Sequence, residues 1–155
     1  MGVHSFEEEV TSPVPPPKLF KATVIDGDEI TPKVIPAIQS IEIVEGNGGP
    51  GTVKKVTAVE DGKASYALHK IDAIDEANYA YDYTIYGGTG FDESLEKVSF
   101  KTKLVAGADG GSIIKIVVIF YTKGDAPLTE AVKQDVKHKG LGISKGIEGY
   151  ILANP

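Results

Sequence analysis

From Ile38 to Thr122 apolar residues recur at every second position, and after Thr129 they recur at helical spacing instead. That switch of period constrains the fold more than any motif in the chain. Alternation puts successive side chains on opposite faces of a strand, whereas a 3.6-residue repeat gathers them on one side of a helix. Six strands are expected, at 38–44, 53–59, 64–74, 78–86, 94–105 and 112–122. Turn chemistry separates them: the glycine-rich run from Gly46 to Gly51, Asp61-Gly62, Asp75-Glu76, Gly87-Gly88-Thr89-Gly90, and the stretch from Gly107 to Gly111. Connections this short join antiparallel neighbours, so the sheet should be a meander. In the last segment Val132, Val136, Ile143, Ile147 and Ile151 mark a helix over 129–153. Its ~25 residues would span ~37 Å at 1.5 Å per residue, enough to cross the whole sheet. Thr129-Glu130 and Asn154-Pro155 suit its two ends.

Ahead of the meander, residues 3–11 alternate as a strand, with Phe6 and Val10 on one face and Val3, Glu7 and Glu9 on the other. Glu8 shares the apolar face. An acid there is costly unless paired or wet, which fits either a hydrated interior or an exposed edge strand. The proline run from Pro13 to Pro17 ends the strand and can open a helix. A short helix is expected over 18–25. Asp26-Gly27-Asp28 breaks it, and a second runs towards Ile35 before Pro36. The first strand, cut off by this helical insertion, should lie at an edge or close the sheet. The expectation is one α+β domain over 1–155: a curved antiparallel sheet closed by one long helix around an apolar, ligand-sized cavity.

A chain of 155 residues can bury roughly two-thirds of its unfolded surface and needs no staple. It has no cysteine, which removes thiol chemistry and cysteine metal sites and suits a reducing compartment. The Met1-Gly2-Val3-His4 start has no signal-peptide character, and no apolar run reaches the ~18 residues of a membrane span. A cytoplasmic location is expected. The formal charge of −6 offers no electrostatic reason to bind nucleic acid or an anionic membrane. Lys133, Lys137, His138, Lys139 and Lys145 form a local basic stripe, read as a solvated helix face.

Gly46-Asn47-Gly48-Gly49-Pro50-Gly51 satisfies G-x-G-x-x-G, but a dinucleotide fingerprint needs a helix directly after it, and here a strand follows. What remains is a hairpin loop whose amides at Gly46, Gly48, Gly49 and Gly51 could cradle an anion near Lys54. His4, His69 and His138 show no metal-ligand spacing, and neither metal nor cofactor is expected. Tyr79, Tyr81, Tyr83 and Ile85 alternate onto one strand face. Val98, Phe100 and Leu104 do so on the next strand, and Ile114, Ile116, Val118 and Phe120 on the last. Phenolic hydroxyls on an apolar inward face fit an ordinary core with internal hydrogen bonds or a pocket for amphipathic molecules. The final helix carries Gly140, Gly142, Gly146 and Gly149, each worth ~1 kcal/mol of helix stability relative to alanine. Close packing on the sheet and a pliable lid over a cavity both account for them.

With these features in place, the whole chain resembles the birch-pollen-allergen family, the plant pathogenesis-related proteins of class ten. The likeness is carried by Met1-Gly2-Val3, Leu19-Phe20-Lys21-Ala22, the glycine loop with its Val44-Glu45 lead, His69-Lys70-Ile71-Asp72, Leu95-Glu96-Lys97, Asp109-Gly110-Gly111-Ser112-Ile113, Tyr121-Thr122-Lys123-Gly124-Asp125, and the closing run from Ile147 to Pro155. Residues 71–78 and 125–132 most resemble the legume abscisic-acid-responsive subgroup. The resemblance implies a helix-grip fold: a seven-stranded curved sheet around the long helix, with two short helices in a V beneath. It also implies a stress- or defence-related monomer with a large cavity for cytokinins, flavonoids, sterol-like hormones and fatty acids. On that reading Tyr66, His69, Tyr81, Tyr83, Val98, Phe100, Ile116, Val118, Val136, Gly140 and Ile143 line the pocket, and Glu8 joins them from its own face. Ala58 and Ile143 are smaller than the residues common in the family, which should reshape the pocket. The family's ribonuclease alternative would rest on Lys54, Glu96, Glu148 and Tyr150, with the two carboxylates as acid and base. Related hormone receptors regulate phosphatases through a Ser-Gly-Leu-Pro-Ala gate, and here that turn reads Gly87-Gly88-Thr89-Gly90-Phe91-Asp92.

Overall fold

Seven antiparallel strands form one sheet in the order β1-β7-β6-β5-β4-β3-β2. The computed structural model describes residues 2–155. The strands are β1 (Val3–Ser12), β2 (Ile38–Glu45), β3 (Val53–Glu60), β4 (Lys63–Asp75), β5 (Ala80–Tyr86), β6 (Leu95–Ala106) and β7 (Ser112–Thr122). From β2 to β7 each strand pairs with the next in sequence, as the short turn-rich connections require. β1 pairs along β7 from Val3↔Tyr121 to Ser12↔Ser112, which makes it an edge strand. Register breaks in the β2–β3, β4–β5 and β6–β7 pairs bend the ribbon and help it curve.

Prolines govern the insertion after β1. Pro15 caps α1 (Pro16–Phe20), and Pro16 and Pro17 occupy its first positions, where a missing N–H costs nothing. The chain then widens into a π turn over Lys21–Ile25, closed by the Asp26 amide donating to the Lys21 carbonyl at 2.7 Å. The Asp26-Gly27-Asp28 break thus lets the chain restart as α2 (Gly27–Val34).

α3 (Glu130–Ala153) begins at Thr129, whose Oγ1 accepts from the Val132 amide at 3.2 Å. Its 24 residues make it ~36 Å long. The helix is held at its two ends. Leu128, Val132 and Val136 pack on buried Leu95, Val98, Val118 and Phe120. Ile147 and Ile151 join Leu19, Phe20, Leu104 and Ile114 in a second cluster. Between these anchors, Lys137 to Gly142 are all exposed. No helix among the described residues is long and apolar enough to cross a membrane.

Candidate ligand-binding site

The inward side chains under the middle of α3 are less buried than those under its ends. Along β7, Ile114, Val118 and Phe120 are buried while Ile116 is not. Along β6, Val98 and Leu104 are buried while Phe100 and Thr102 between them keep accessible surface. The two dry clusters therefore flank a recess, and the unanchored stretch of helix passes over it.

An aromatic row floors this recess. Register places Ile71 and His69 on β4 beside Tyr83 and Ile85 on β5, and Tyr83 opposite Phe100 on β6. The rings of His69 and Tyr83 lie 5.8 Å apart and 5° from parallel, and those of Tyr83 and Phe100 4.8 Å apart at 11°. Tyr81 stacks on Tyr83 at 5.1 Å. Burial lowers the His69 pKa to about 4, helped by the neighbouring Lys54 cation. Burial likewise pushes the Tyr83 phenol up to about 12. Tyr81 also rises, first by burial and then through Tyr83, Asp28 and Asp72. At neutral pH the row is uncharged. Yet no side-chain hydrogen bond among the described residues engages these three groups, and no occluded polar side-chain atom lacks a partner. Their polar atoms keep accessible surface and are available to a bound molecule.

Beside Tyr81 lies a cavity of about 270 Å³ under the π turn. Val24, Ile25, Ile43, Ile71 and Ile74 form its apolar walls, while Asp28, Lys54, Glu76 and Tyr81 supply polar groups. Lys54 Nζ meets Asp28 Oδ1 at 2.8 Å, with side-chain exposures of 13% and 37%. Sequence reasoning missed this wall. Asp28 stands in the first turn of α2, and nothing local announces that it will be tied to a strand lysine 26 positions away.

The glycine loop borders the cavity through Gly48 but does not form the anion cradle considered from sequence. Three of the four candidate glycine amides are already spent. Gly48 donates to Thr52 Oγ1, Gly49 to Asn47 Oδ1, Gly51 to the Ile71 carbonyl and Thr52 to the Gly49 carbonyl. Positive φ at Gly46, Gly48 and Gly51 serves this self-bonded turn.

Other expectations need correction. Tyr66 lies three residues from His69 in an unbroken register and so faces outward, where its ring carries Lys55 Nζ at 4.8 Å. Gly140 is exposed, and a Cβ placed on it meets nothing within 4 Å. Val98 and Val118 belong to the dry cluster rather than to the recess. His69, Tyr81, Tyr83, Phe100, Ile116, Val136 and Ile143 are half-buried on the inner side. Glu8 sits at the seam between β1 and α3, 3.9 Å from Lys137 Nζ. The basic stripe is accordingly more than a solvated face: Lys133 caps the Phe6 ring at 3.8 Å, and Lys145 donates to the Thr11 carbonyl at 3.2 Å.

The four nuclease candidates do not converge. Glu96 lies next to the Lys97↔Tyr121 pair, whereas Glu148 is bound to Lys145, which reaches Thr11 opposite Ile113. At ~3.3 Å per strand residue, the eight residue steps between Tyr121 and Ile113 separate these places by roughly 25 Å. Lys54 is tied to Asp28, and Tyr150 borders a shallow surface cleft with Lys18 and Lys21. No single phosphate could meet all four. The Gly87–Asp92 turn is pinned to β4: the Gly90 amide donates to the Tyr66 carbonyl, and the Tyr66 amide to Thr89 Oγ1.

A curved antiparallel sheet gripping a terminal helix whose apolar anchors lie towards its two ends defines a helix-grip protein. The chain belongs to the Pathogenesis-related protein Bet v 1 family, whose match spans residues 1–154. It is 59% identical to the ABA-responsive protein ABR17 of Pisum sativum, covering all of this chain and 99% of that one. It is 62% identical to protein LlR18B of Lupinus luteus over the same shares. The crystal structure of Ara h 8.0201 superposes with a TM-score of 0.94 at 79% identity, covering 98% of this chain and 99% of that one. Norcoclaurine synthase from Thalictrum flavum, solved with dopamine and hydroxybenzaldehyde, gives a TM-score of 0.77 at 14% identity, covering 99% and 89%. That likeness is one of fold.

Proposed function

We propose that this chain is a cytosolic, monomeric binding protein for small amphipathic plant metabolites, acting as one unit over residues 1–155 in stress or defence. Cytokinins, flavonoids, sterol-like hormones and fatty acids are the ligand classes to test first. The observation that carries the reading is the half-buried aromatic row beneath the exposed middle of α3, with phenol and imidazole groups that no other side chain hydrogen-bonds. Family membership supports it, as do relatives named for abscisic-acid and disease-resistance responses. Apolar contact would supply most of the affinity, at ~25 cal/mol per Å² before ordering costs. Tyr81, Tyr83 and His69 would orient the ligand's polar groups.

The test is a fluorescence titration with the uncharged dye N-phenylnaphthylamine, followed by displacement with members of each class. Saturable, stoichiometric binding displaced at micromolar concentration by one class is the expected result. Absence of saturable binding would mean that the aromatic row is closed core.

A further inference from the structure

We infer that the cavity beneath the π turn binds the carboxylate of an amphipathic organic acid, which takes Lys54 by displacing Asp28. The inference rests on the binding reading above and specifies its head group.

The sign of the charge follows from the unequal exposure of the pair. Lys54 Nζ is held inside, with 13% of its side chain accessible, while Asp28 sits at the rim with 37% accessible. A cationic ligand would have to take Asp28 and strand the buried ammonium, which is the expensive half to leave unpaired. An anionic ligand takes the ammonium and releases Asp28, which water can resolvate where it stands. Glu76 also lines the cavity but is exposed, so solvent screens it. Lys54 is thus the one cation among the charged residues of the wall, and it is already poised at carboxylate distance.

The surroundings complete an acid site. Lys54 pairs directly across the ladder with His69, and the Tyr81 hydroxyl borders the same space as a donor. Ile71, Ile74 and Val24 offer apolar surface to the body of the ligand. The Asp28–Lys54 pair ties α2 to β3, so the exchange also frees the segment that roofs the cavity.

The test compares naphthaleneacetic acid with its methyl ester as competitors of N-phenylnaphthylamine at pH 7, where the acid is ionised and the ester is not. The wild-type chain should bind the acid at least tenfold more tightly than the ester. Asp28→Asn removes the internal competitor and should raise the acid-to-ester ratio severalfold. Lys54→Met should bring that ratio close to one, and Lys54→Arg should restore most of it. Equal affinity of acid and ester for wild-type protein that still binds the dye would overturn the carboxylate site and leave the carrier reading intact. Failure of wild-type protein to bind the dye or either competitor would overturn both. A ratio lowered by Asp28→Asn would refute the displacement.

Discussion

His69 shows how far one residue's setting can be turned into a measurement. Unfolded, its imidazole takes up a proton near 6.5; folded, only near about 4. Between those values the unfolded chain binds more protons, so stability falls as pH falls. Above 6.5 neither state is charged and nothing is lost. Below about 4 the full penalty stands, about 3 kcal/mol at 1.36 kcal/mol per unit. Urea unfolding at pH 7 and pH 4 should show that loss, and His69→Gln should remove it from the difference; an unchanged slope in the variant would assign the acid lability elsewhere. Tyr83 should behave differently. Its hydroxyl makes no side-chain hydrogen bond, so Tyr83→Phe should shift stability by less than about 0.5 kcal/mol, against about 1 kcal/mol for an ordinary lost bond. The same change should weaken hydroxylated ligands more than the dye, and equal loss for both would make the ring, not the hydroxyl, the contact. These inner residues were legible because alternation assigned them a face. Tyr66 was legible by the same rule, since an odd offset from His69 in an unbroken strand reverses the face, and the family likeness outweighed that parity. Asp28 was not legible, because its role depends on a contact across 26 positions.

Among the elements, α3 is where sequence left two readings open, and the four glycines divide between them. Only Gly146 is packed: a Cβ there would come within 2.5 Å of Ile35 Cδ1. At Gly140 and Gly142 it would meet open space, so close packing does not account for either. Each change to alanine there should raise stability by about 1 kcal/mol, the ordinary helix gain, whereas Gly146→Ala should gain less because Ile35 must move. Chemical denaturation midpoints distinguish the three. If the soft middle of α3 admits ligands, the Gly140→Ala/Gly142→Ala double variant should also slow dye dissociation in stopped flow; unchanged rates would place access elsewhere. The strands were easier to read, because turn residues fixed where each run ended. β4 illustrates the limit. Past its register break at Ile71/Ala73 the inward position moves to Ile74, a change of parity that alternation alone does not announce. The turn after β5 carries its own constraint: Gly88 has φ of +92° and its missing Cβ would strike the Tyr66 carbonyl. Gly88→Ala should therefore cost more than about 2 kcal/mol, and a neutral result would mean the turn is looser than its hydrogen bonds indicate.

At the scale of the whole molecule, the question is whether the recess is space kept open or packing left imperfect. Two dry clusters hold α3 at its ends, and a protein selected only for stability would be expected to fill the gap between them, since interiors normally pack as densely as organic crystals. Ile143 stands on the helix just past the exposed stretch, half-buried and packed against the C-terminal cluster. Enlarging it discriminates the two cases by sign. If open space adjoins it, Ile143→Phe buries added apolar surface and should stabilise the chain by roughly 0.5–1 kcal/mol at ~25 cal/mol per Å². If the region is already packed, the same change overfills it and should cost about 1–3 kcal/mol. Ligand linkage supplies an independent reading of the same gap. A ligand at a hundred times its Kd should stabilise wild-type protein by about 2.7 kcal/mol, and the enlarged variant should lose part of that gain because side chain and ligand compete for one volume. A variant that is more stable alone and less stabilised by ligand would establish the space as functional. One that is destabilised yet responds fully to ligand would move the binding volume to the cavity beneath the π turn, where Asp28 and Lys54 would then be its centre.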